Sequence, residues 1–264
     1  MSEEKLLEQA IEKENLRDKR AKKKFKFKVK DKVFEDVFDT QTMNTIYRLA
    51  SNGTIDSLEH VISPGKEAVV FKALDLNGKP LAVKIYKIKT SDFHRMTDYL
   101  EGDRRFKYEK RNKQSIVFAW AKKEFKNLQL GIKVNARVPF PKKQLDNVLV
   151  MEFIGGKEAA PTLFKSSLTA KDLESVYTQT IELVAKMIKA KLIHADLSEY
   201  NLLWFEKQLV LIDVGQAVLL SHPKAKEFFE RDIRNLSNYF SKHGLKKDFE
   251  TIYNDVKKKK EELK

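Results

Sequence analysis

The sequence predicts an α+β chain of two lobes, a strand-rich first half and a helical second half, with no internal repeat. Three observations predict it. Short apolar runs rich in β-branched and aromatic residues crowd residues 58–86, and helical periodicity occupies 115–130 and 173–191. A length of 264 residues suffices for one generous core or two small lobes. Hydrophobic residues at 42% and charged residues at 34% fit a globular chain and not a disordered one. No window approaches the roughly 18 apolar residues of a membrane helix, which excludes an integral helical membrane protein. The opening MSEEKLLEQAIEKEN lacks a basic segment followed by an apolar one, so the expected location is the cytoplasm. Cysteine is absent, which removes disulfides, thiolate catalysis and thiolate zinc sites; a zinc site built from the scattered histidines is not expected.

Residues 2–23 read as a polar surface helix, and Lys24–Lys30 alternates Phe25, Phe27 and Val29 with lysines, as an extended segment would. Residues 38–58 read as one or two short helices, with Asn52-Gly53 as a break and Asp56 as a cap. Leu58–Ile62, Ala68–Leu74 and Leu81–Tyr86 then form a meander, separated by Ser63-Pro64-Gly65 and by Asn77-Gly78, a tight-turn signal. Residues 87–113 are a charged insertion before the next regular element. Ser115–Leu130 is helical, burying Val117, Phe118, Trp120, Ala121, Phe125 and Leu128. Val148–Phe153 is a strand, Leu173–Lys191 a second periodic helix, Asn201–Trp204 and Leu209–Val214 short strands, and 224–260 helical. The resulting division is an N-terminal helical extension at 1–57, an N-lobe at 58–153 carrying a basic, flexible insertion at 87–113, and a C-lobe at 154–264.

The formal net charge of +14 favours anionic partners and says nothing about fold. Residues 1–30 hold 11 basic and 6 acidic side chains, residues 87–113 hold 9 and 5, and Lys257–Lys260 is a run of four lysines. Each run alone reads as solvated surface. Three distant runs of one sign read together as a polyanion-binding surface, and none carries the apolar stripe of a membrane-surface helix.

The most informative segment is Leu192-Ile-His-Ala-Asp-Leu-Ser-Glu-Tyr-Asn201, in which His194, Asp196 and Asn201 form H-x-D-x-x-x-x-N. Asp213-Val-Gly215 comes twelve residues after Asn201. Phosphoryl transfer needs such a set: Asp196 to orient or deprotonate a hydroxyl, with Asn201 and Asp213 as oxygen ligands for Mg²⁺ on the phosphates. Lys84 is a charge inside an apolar strand, either a phosphate-binding lysine or an edge-strand guard against aggregation. Glu124, one helical turn after Trp120, is the candidate carboxylate to hold Lys84; the alternative is a solvated surface glutamate. Ser63-Pro-Gly-Lys-Glu-Ala68 lies where a phosphate-covering loop belongs, so that Ser63 and the backbone N–H groups near Gly65 and Lys66 meet phosphate. It has one glycine only, fails the usual glycine counts, and is equally an ordinary turn.

These residues resemble a known family, the RIO-type atypical protein kinases, closest to the archaeal members of its first branch. The resemblance is carried by Ser63–Ala68, Leu81–Lys87, Gly102-Asp-Arg-Arg-Phe106, Trp120–Phe125, Val150–Ile154, Leu192–Asn201 and Leu211–Gly215, in order within about residues 45–260. It implies a truncated bilobal protein-kinase-like fold with an antiparallel-sheet N-lobe, a mainly helical C-lobe and a short N-terminal helical extension. It further implies Lys84 on the ATP phosphates with Glu124 paired to it, Asp196 as catalytic aspartate, and Asn201 and Asp213 as ligands of Mg²⁺ or Mn²⁺. Met151 takes the gatekeeper position, and backbone groups around Glu152 and Ile154 hold the adenine edge. Members are serine kinases that autophosphorylate, act in small-ribosomal-subunit maturation, and turn over as ATPases through a phosphorylated aspartate, which Asp213 matches. The implied setting is a small-subunit precursor, and the shared sign of the basic segments makes rRNA or a pre-ribosomal surface the expected partner, with no membrane; the sequence does not reveal the oligomeric state, for which a monomer is the expectation. Ser63-Pro64-Gly65 departs from the family's more usual Ser-Thr-Gly, so no threonine contact is available in that loop.

Only residues 214–264 come after Asp213, with no Ala-Pro-Glu signature, which leaves little peptide-binding platform. Two rival functions remain. A small-molecule phosphotransferase of the aminoglycoside or choline kinase type shares H-x-D-x-x-x-x-N but enlarges the helical lobe. An RNA-binding module with a dead nucleotide site would not need Lys84, Glu124, Asp196, Asn201 and Asp213 all intact. Thr90, Ser91, Thr97 and Ser115 are the hydroxyls near the basic insertion that autophosphorylation would reach.

Overall fold

Three apolar runs joined by two turns, one closed by a backbone bond and one by the Asp75 side chain, make the centre of the first sheet. The computed structural model describes residues 25–27, 37–89, 91–106 and 112–263. The chain divides into two compact units, Met1–Ser91 with Lys142–Phe153, and Asp92–Pro141 with Ile154–Lys264. Residues 92–141, placed in the N-lobe by the sequence pattern, group with the second unit.

The first unit is a six-stranded sheet. Its strands are β1 (Lys26–Phe27), β2 (Ser57–Pro64), β3 (Ala68–Leu74), β4 (Pro80–Tyr86), β5 (Pro141–Leu145) and β6 (Val148–Glu152), in the order β1-β2-β3-β4-β6-β5. The expected meander is β2–β3–β4, antiparallel throughout, and β4 pairs antiparallel with β6. In β3 the alternate residues Val69, Phe71 and Ala73 are buried, as a two-residue period requires. The Asn77-Gly78 turn is wider than a two-residue hairpin, because Leu74 pairs with Pro80. Asp75 closes it, accepting hydrogen bonds from the Asn77 and Lys79 backbone N–H groups at 2.9 and 3.0 Å, while Gly78 takes φ +74°.

Helix α1 (Thr40–Ser51) begins at Asp39, whose carboxylate accepts from Thr42 N at 2.8 Å. It buries Ile46 and Leu49 in a core with Leu58, Phe71 and Val83. Polar groups fix it to the β5–β6 turn: Thr45 Oγ1 donates to Asp146 Oδ2 at 2.7 Å, and Asn147 Nδ2 donates to Thr42 Oγ1 and to Tyr86 O. Asp56 caps no helix; its N–H donates to Leu74 O at 2.7 Å and leads into β2. The helix expected at 2–23 lies outside the described residues, and of the extended segment at 24–30 the described part is β1, parallel to β2.

The second unit holds α2 (Phe93–Glu101), a 3₁₀ turn (Arg104–Phe106), α3 (Lys113–Lys133) and α4 (Ala170–Lys189). After these come β7 (Leu192–Ile193), β8 (Leu202–Phe205), β9 (Gln208–Leu211), β10 (Val218–Leu219), α5 (Ala225–Lys242) and α6 (Phe249–Glu262). The charged insertion is thus a correction: it contains a helix and a turn. Met96 and Tyr99 of α2 are buried, and Tyr99 packs on Trp120 of α3 and stacks on Phe228 of α5. Gly102 ends α2 against His222, where an added Cβ would overlap the ring. The helical run at 224–260 breaks in two. Gly244, at φ +90°, lets Gly244 N and Leu245 N cap the carbonyls of Ser241 and Phe240. Among the described residues no helix is long and apolar enough to cross a membrane.

Candidate active site

The first unit carries Ser63, Gly65, Lys66, Lys84, Met151 and Glu152. The β2–β3 turn is tight: Gly65 N donates to Ala68 O at 3.0 Å, and a Cβ on Gly65 would sit 2.5 Å from that oxygen. Glycine is the residue this turn requires, and Ser63, Gly65 and Lys66 are all exposed along it. Lys84 lies in the middle of β4, between Val70 of β3 and Leu149 of β6, and is 7% exposed. A strand hydrogen-bonded on both sides is no edge, so the edge-guard reading of Lys84 falls. Its Nζ stands 5.1 Å from the Tyr86 ring centroid. Met151 is buried in β6 beside the half-buried Glu152.

The second unit carries Glu124, Ile154, Asp196, Asn201 and Asp213. Glu124 is 1% exposed on α3, which excludes a solvated surface role. Ile154 O accepts from Ala160 N at 2.9 Å. The loop from His194 to Asn201 leaves β7 and is held chiefly by side chains distant in sequence. Asp232 of α5 accepts from Ala195 N and from Leu197 N, both at 2.8 Å, bracketing Asp196. Arg231 donates to Ala195 O, and Asn235 Nδ2 to Leu197 O at 3.0 Å. These bonds stabilise Ala195 in a left-handed conformation, φ +65°. Burial pushes the Asp232 carboxyl up, opposed by the His194 ring and by the two N–H groups it accepts from. His194 Nε2 lies 3.2 Å from Ile212 O, and because a carbonyl only accepts, Nε2 carries the proton. Asn201 Nδ2 donates to Asp196 O at 2.8 Å, and Asn201 O accepts from Ile212 N. The two motif segments are therefore hydrogen-bonded to one another.

Asp213 is exposed with φ +56°, a strained conformation for a residue with a side chain, typical of functional positions. Helix α3 clamps the backbone immediately after it. Lys123 Nζ donates to Gly215 O at 2.7 Å and to Ala217 O at 2.6 Å. Asn127 Nδ2 donates to Val214 O at 2.8 Å and to Ala217 O at 3.1 Å. Arg105 in turn donates to Asn127 Oδ1 at 2.8 Å and pairs with Asp103. Burial raises the Asp103 carboxyl, but the bonds from Arg105 outweigh it and hold the group below the usual range. Burial draws the Lys123 ammonium down to about 7; Asp103 opposes the shift and Arg105 adds to it. Asp232, Arg231, Asn235, Lys123, Asn127 and Gln216 were not singled out from sequence. Each sits on a helix or turn whose local pattern reads as surface, and Lys122 and Lys123 are indistinguishable until the helix is phased. Ser91 is buried, with its Oγ on the carbonyls of Glu67 and Lys87, so it is no accessible phosphate acceptor. Thr97 and Ser115 are half-buried, and Thr90 lies outside the described residues.

Among the described residues, no cluster of three or more His, Cys, Asp or Glu side chains could hold a metal ion. A carboxylate and an amide oxygen from Asp213 and Asn201 nonetheless fit Mg²⁺ or Mn²⁺, ions that keep waters and complete their shell with substrate phosphates.

Comparison with known proteins agrees with this chemistry. The family model of the RIO domain matches residues 69–252. The chain is 43% identical over 225 residues to the RIO-type serine/threonine-protein kinase Rio1 of Haloferax volcanii, covering 85% of this chain and 77% of that protein. It is 42% identical over 197 residues to Rio1 of Thermoplasma acidophilum, covering 72% of this chain and all of the other. The Rio2 kinase of Chaetomium thermophilum, solved as an ADP/Mg²⁺-phosphoaspartate complex, shares the fold at a TM-score of 0.64 and 23% identity. That match spans 83% of this chain and 66% of the solved one.

Proposed function

We propose, from the premise that this chain belongs to the RIO family of serine/threonine-protein kinases in its Rio1 branch, that it transfers the γ-phosphoryl group of ATP to serine and, in a second mode, to its own Asp213. The observation that carries this reading is the loop at 194–201. Its backbone is bracketed by Asp232 on both sides of Asp196, and its Asn201 amide is bonded back to the Asp196 carbonyl. A carboxylate on so fixed a backbone suits the orientation of one hydroxyl.

In protein phosphorylation, a serine hydroxyl hydrogen-bonds to Asp196. As the hydroxyl oxygen bonds to the γ-phosphorus and the bond to the bridging oxygen of ADP breaks, Asp196 takes the proton. Asn201 through Oδ1 and Asp213 through its carboxylate hold the divalent ion, which when bound neutralises charge on the phosphate oxygens. Lys84 supplies a fixed cation to the α- and β-phosphates, and the turn at Ser63, Gly65 and Lys66 offers backbone N–H groups to phosphate oxygens. By family resemblance Met151 takes the gatekeeper position, and backbone groups around Glu152 and Ile154 the adenine edge. In the ATPase mode an Asp213 oxygen displaces ADP from the γ-phosphorus, and water then hydrolyses the acyl phosphate to phosphate and carboxylate. Supporting this mode are the exposure and left-handed backbone of Asp213 and the phosphoaspartate described for the Chaetomium relative. The three basic segments supply charge for a small-ribosomal-subunit precursor, and the cytoplasm is the compartment in which we place the activity.

The test is incubation of the full chain with Mg²⁺ and γ-labelled ATP, following free phosphate and protein-bound label beside an Asp196→Ala variant. Acid-stable label on serine, absent in the variant, is the kinase result. Free phosphate with a base- and hydroxylamine-labile adduct, lost in Asp213→Ala, is the ATPase result. Turnover in Asp196→Ala equal to that of the wild type would sink the reading.

A further inference from the structure

Asp196 has a second neighbour with no part in the phosphoryl-transfer steps. Gln216, three residues after Asp213, donates from Nε2 to Asp196 Oδ2 at 3.0 Å. Its Oε1 accepts from Arg95 Nη2 at 3.1 Å. The two ends of this amide are not interchangeable. A guanidinium only donates and an ionised carboxylate only accepts, so one orientation of the amide satisfies both partners and the reverse satisfies neither.

The setting separates this contact from the packing of the loop. The backbone on either side of Asp196 is held by Asp232, Arg231 and Asn235. Gln216 bonds the Asp196 side chain and not that backbone. Its own backbone lies between Gly215 and Ala217, whose carbonyls Lys123 clamps. Removing the Gln216 amide therefore frees a side-chain rotation and leaves the loop in place. With a donor on Oδ2, Oδ1 is the more basic carboxylate oxygen and the one poised for a hydroxyl proton.

We propose that Gln216 is a positioning residue for Asp196 and that Arg95 of α2 acts on Asp196 through it, by fixing which end of the amide faces the carboxylate. The proposal rests on the assignment of Asp196 as the group that meets the hydroxyl. It also gives α2 a role: the basic stretch expected to meet a polyanion contains the residue on which the orientation of the catalytic carboxylate depends.

A double-mutant cycle on the full chain tests it. Gln216→Ala should lower kcat about tenfold, within the range that small misplacements of reacting groups cost, with KM for ATP unchanged. Arg95→Ala should lower kcat less, and the double variant should be no slower than Gln216→Ala, since Arg95 has no separate route to Asp196. A wild-type kcat in Gln216→Ala, or a double-variant loss equal to the product of the two single losses, overturns the relay. A second readout needs no turnover: the side-chain amide resonances of Gln216 in ¹⁵N-labelled protein should shift in Arg95→Ala and in Asp196→Ala. Absence of a shift in either overturns the contact. Should Asp196→Ala turn over normally, the functional assignment fails, and the amide resonances still decide whether the contact exists.

Discussion

An Asp232→Asn substitution isolates what one carboxylate contributes to the loop at 194–201. Both Asp232 oxygens accept from backbone N–H groups, of Ala195 and Leu197. Asparagine can accept only one, and its NH₂ would face the other donor. Leaving a buried N–H unsatisfied costs about 1–3 kcal/mol. Urea unfolding of Asp232→Asn should show a loss of that size, with kcat falling while KM for ATP holds. Sequence could not announce this residue, since Asp232 lies within Phe-Phe-Glu-Arg-Asp-Ile-Arg, where an aspartate reads as helix surface. Lys84, Asp196, Asn201 and Asp213 were legible because their residue types contradict their surroundings or repeat a spacing that phosphoryl transfer needs. Their supports contradict nothing locally, and so only the folded chain reveals them.

At the scale of elements, legibility followed periodicity. The strands β2 to β4 and the helices α3 and α4 were readable because each carries several buried residues in regular phase. Helix α2 has two buried residues, Met96 and Tyr99, among charged neighbours, and β5 reads Pro-Lys-Lys-Gln-Leu; neither offers enough period to see. Helix α3 holds a less visible device, the buried Lys123 clamp on the segment after Asp213. In the folded chain its ammonium titrates near 7, whereas an unfolded lysine titrates at about 10.4. Between those values the unfolded chain binds more protons, so the Lys123 contribution to stability rises with pH across that window and is flat below it. Denaturant unfolding of wild type and Lys123→Met at pH 6 to 9 should therefore show the difference moving in favour of the wild type from pH 7 upward. A pH-independent difference would show that the buried ammonium does not titrate.

For the molecule as a whole, the net charge of +14 sets how a polyanion is met. Binding of a small-subunit rRNA fragment should weaken steeply with salt, with a slope of log K against log[salt] of about −0.7 to −0.9 per phosphate neutralised. Filter binding between 50 and 300 mM KCl measures it, and a flat profile would remove the basic segments from the interface. The route of the chain has a further consequence, for synthesis. Strand β4, which carries Lys84, gains β3 as its neighbour early, but its other neighbour β6 begins only at Val148. At about 5–20 residues per second, the 61 residues between Tyr86 and Val148 take a ribosome about 3–12 s to add. Throughout that interval an apolar strand stands with one bare edge, open to pairing with any other nascent chain. Most of the residues made meanwhile, 92–141, belong to the second unit, whose buried positions extend to Val256. Neither unit can be completed before the other has been begun, and truncation anywhere between 87 and 147 leaves a fragment built to aggregate.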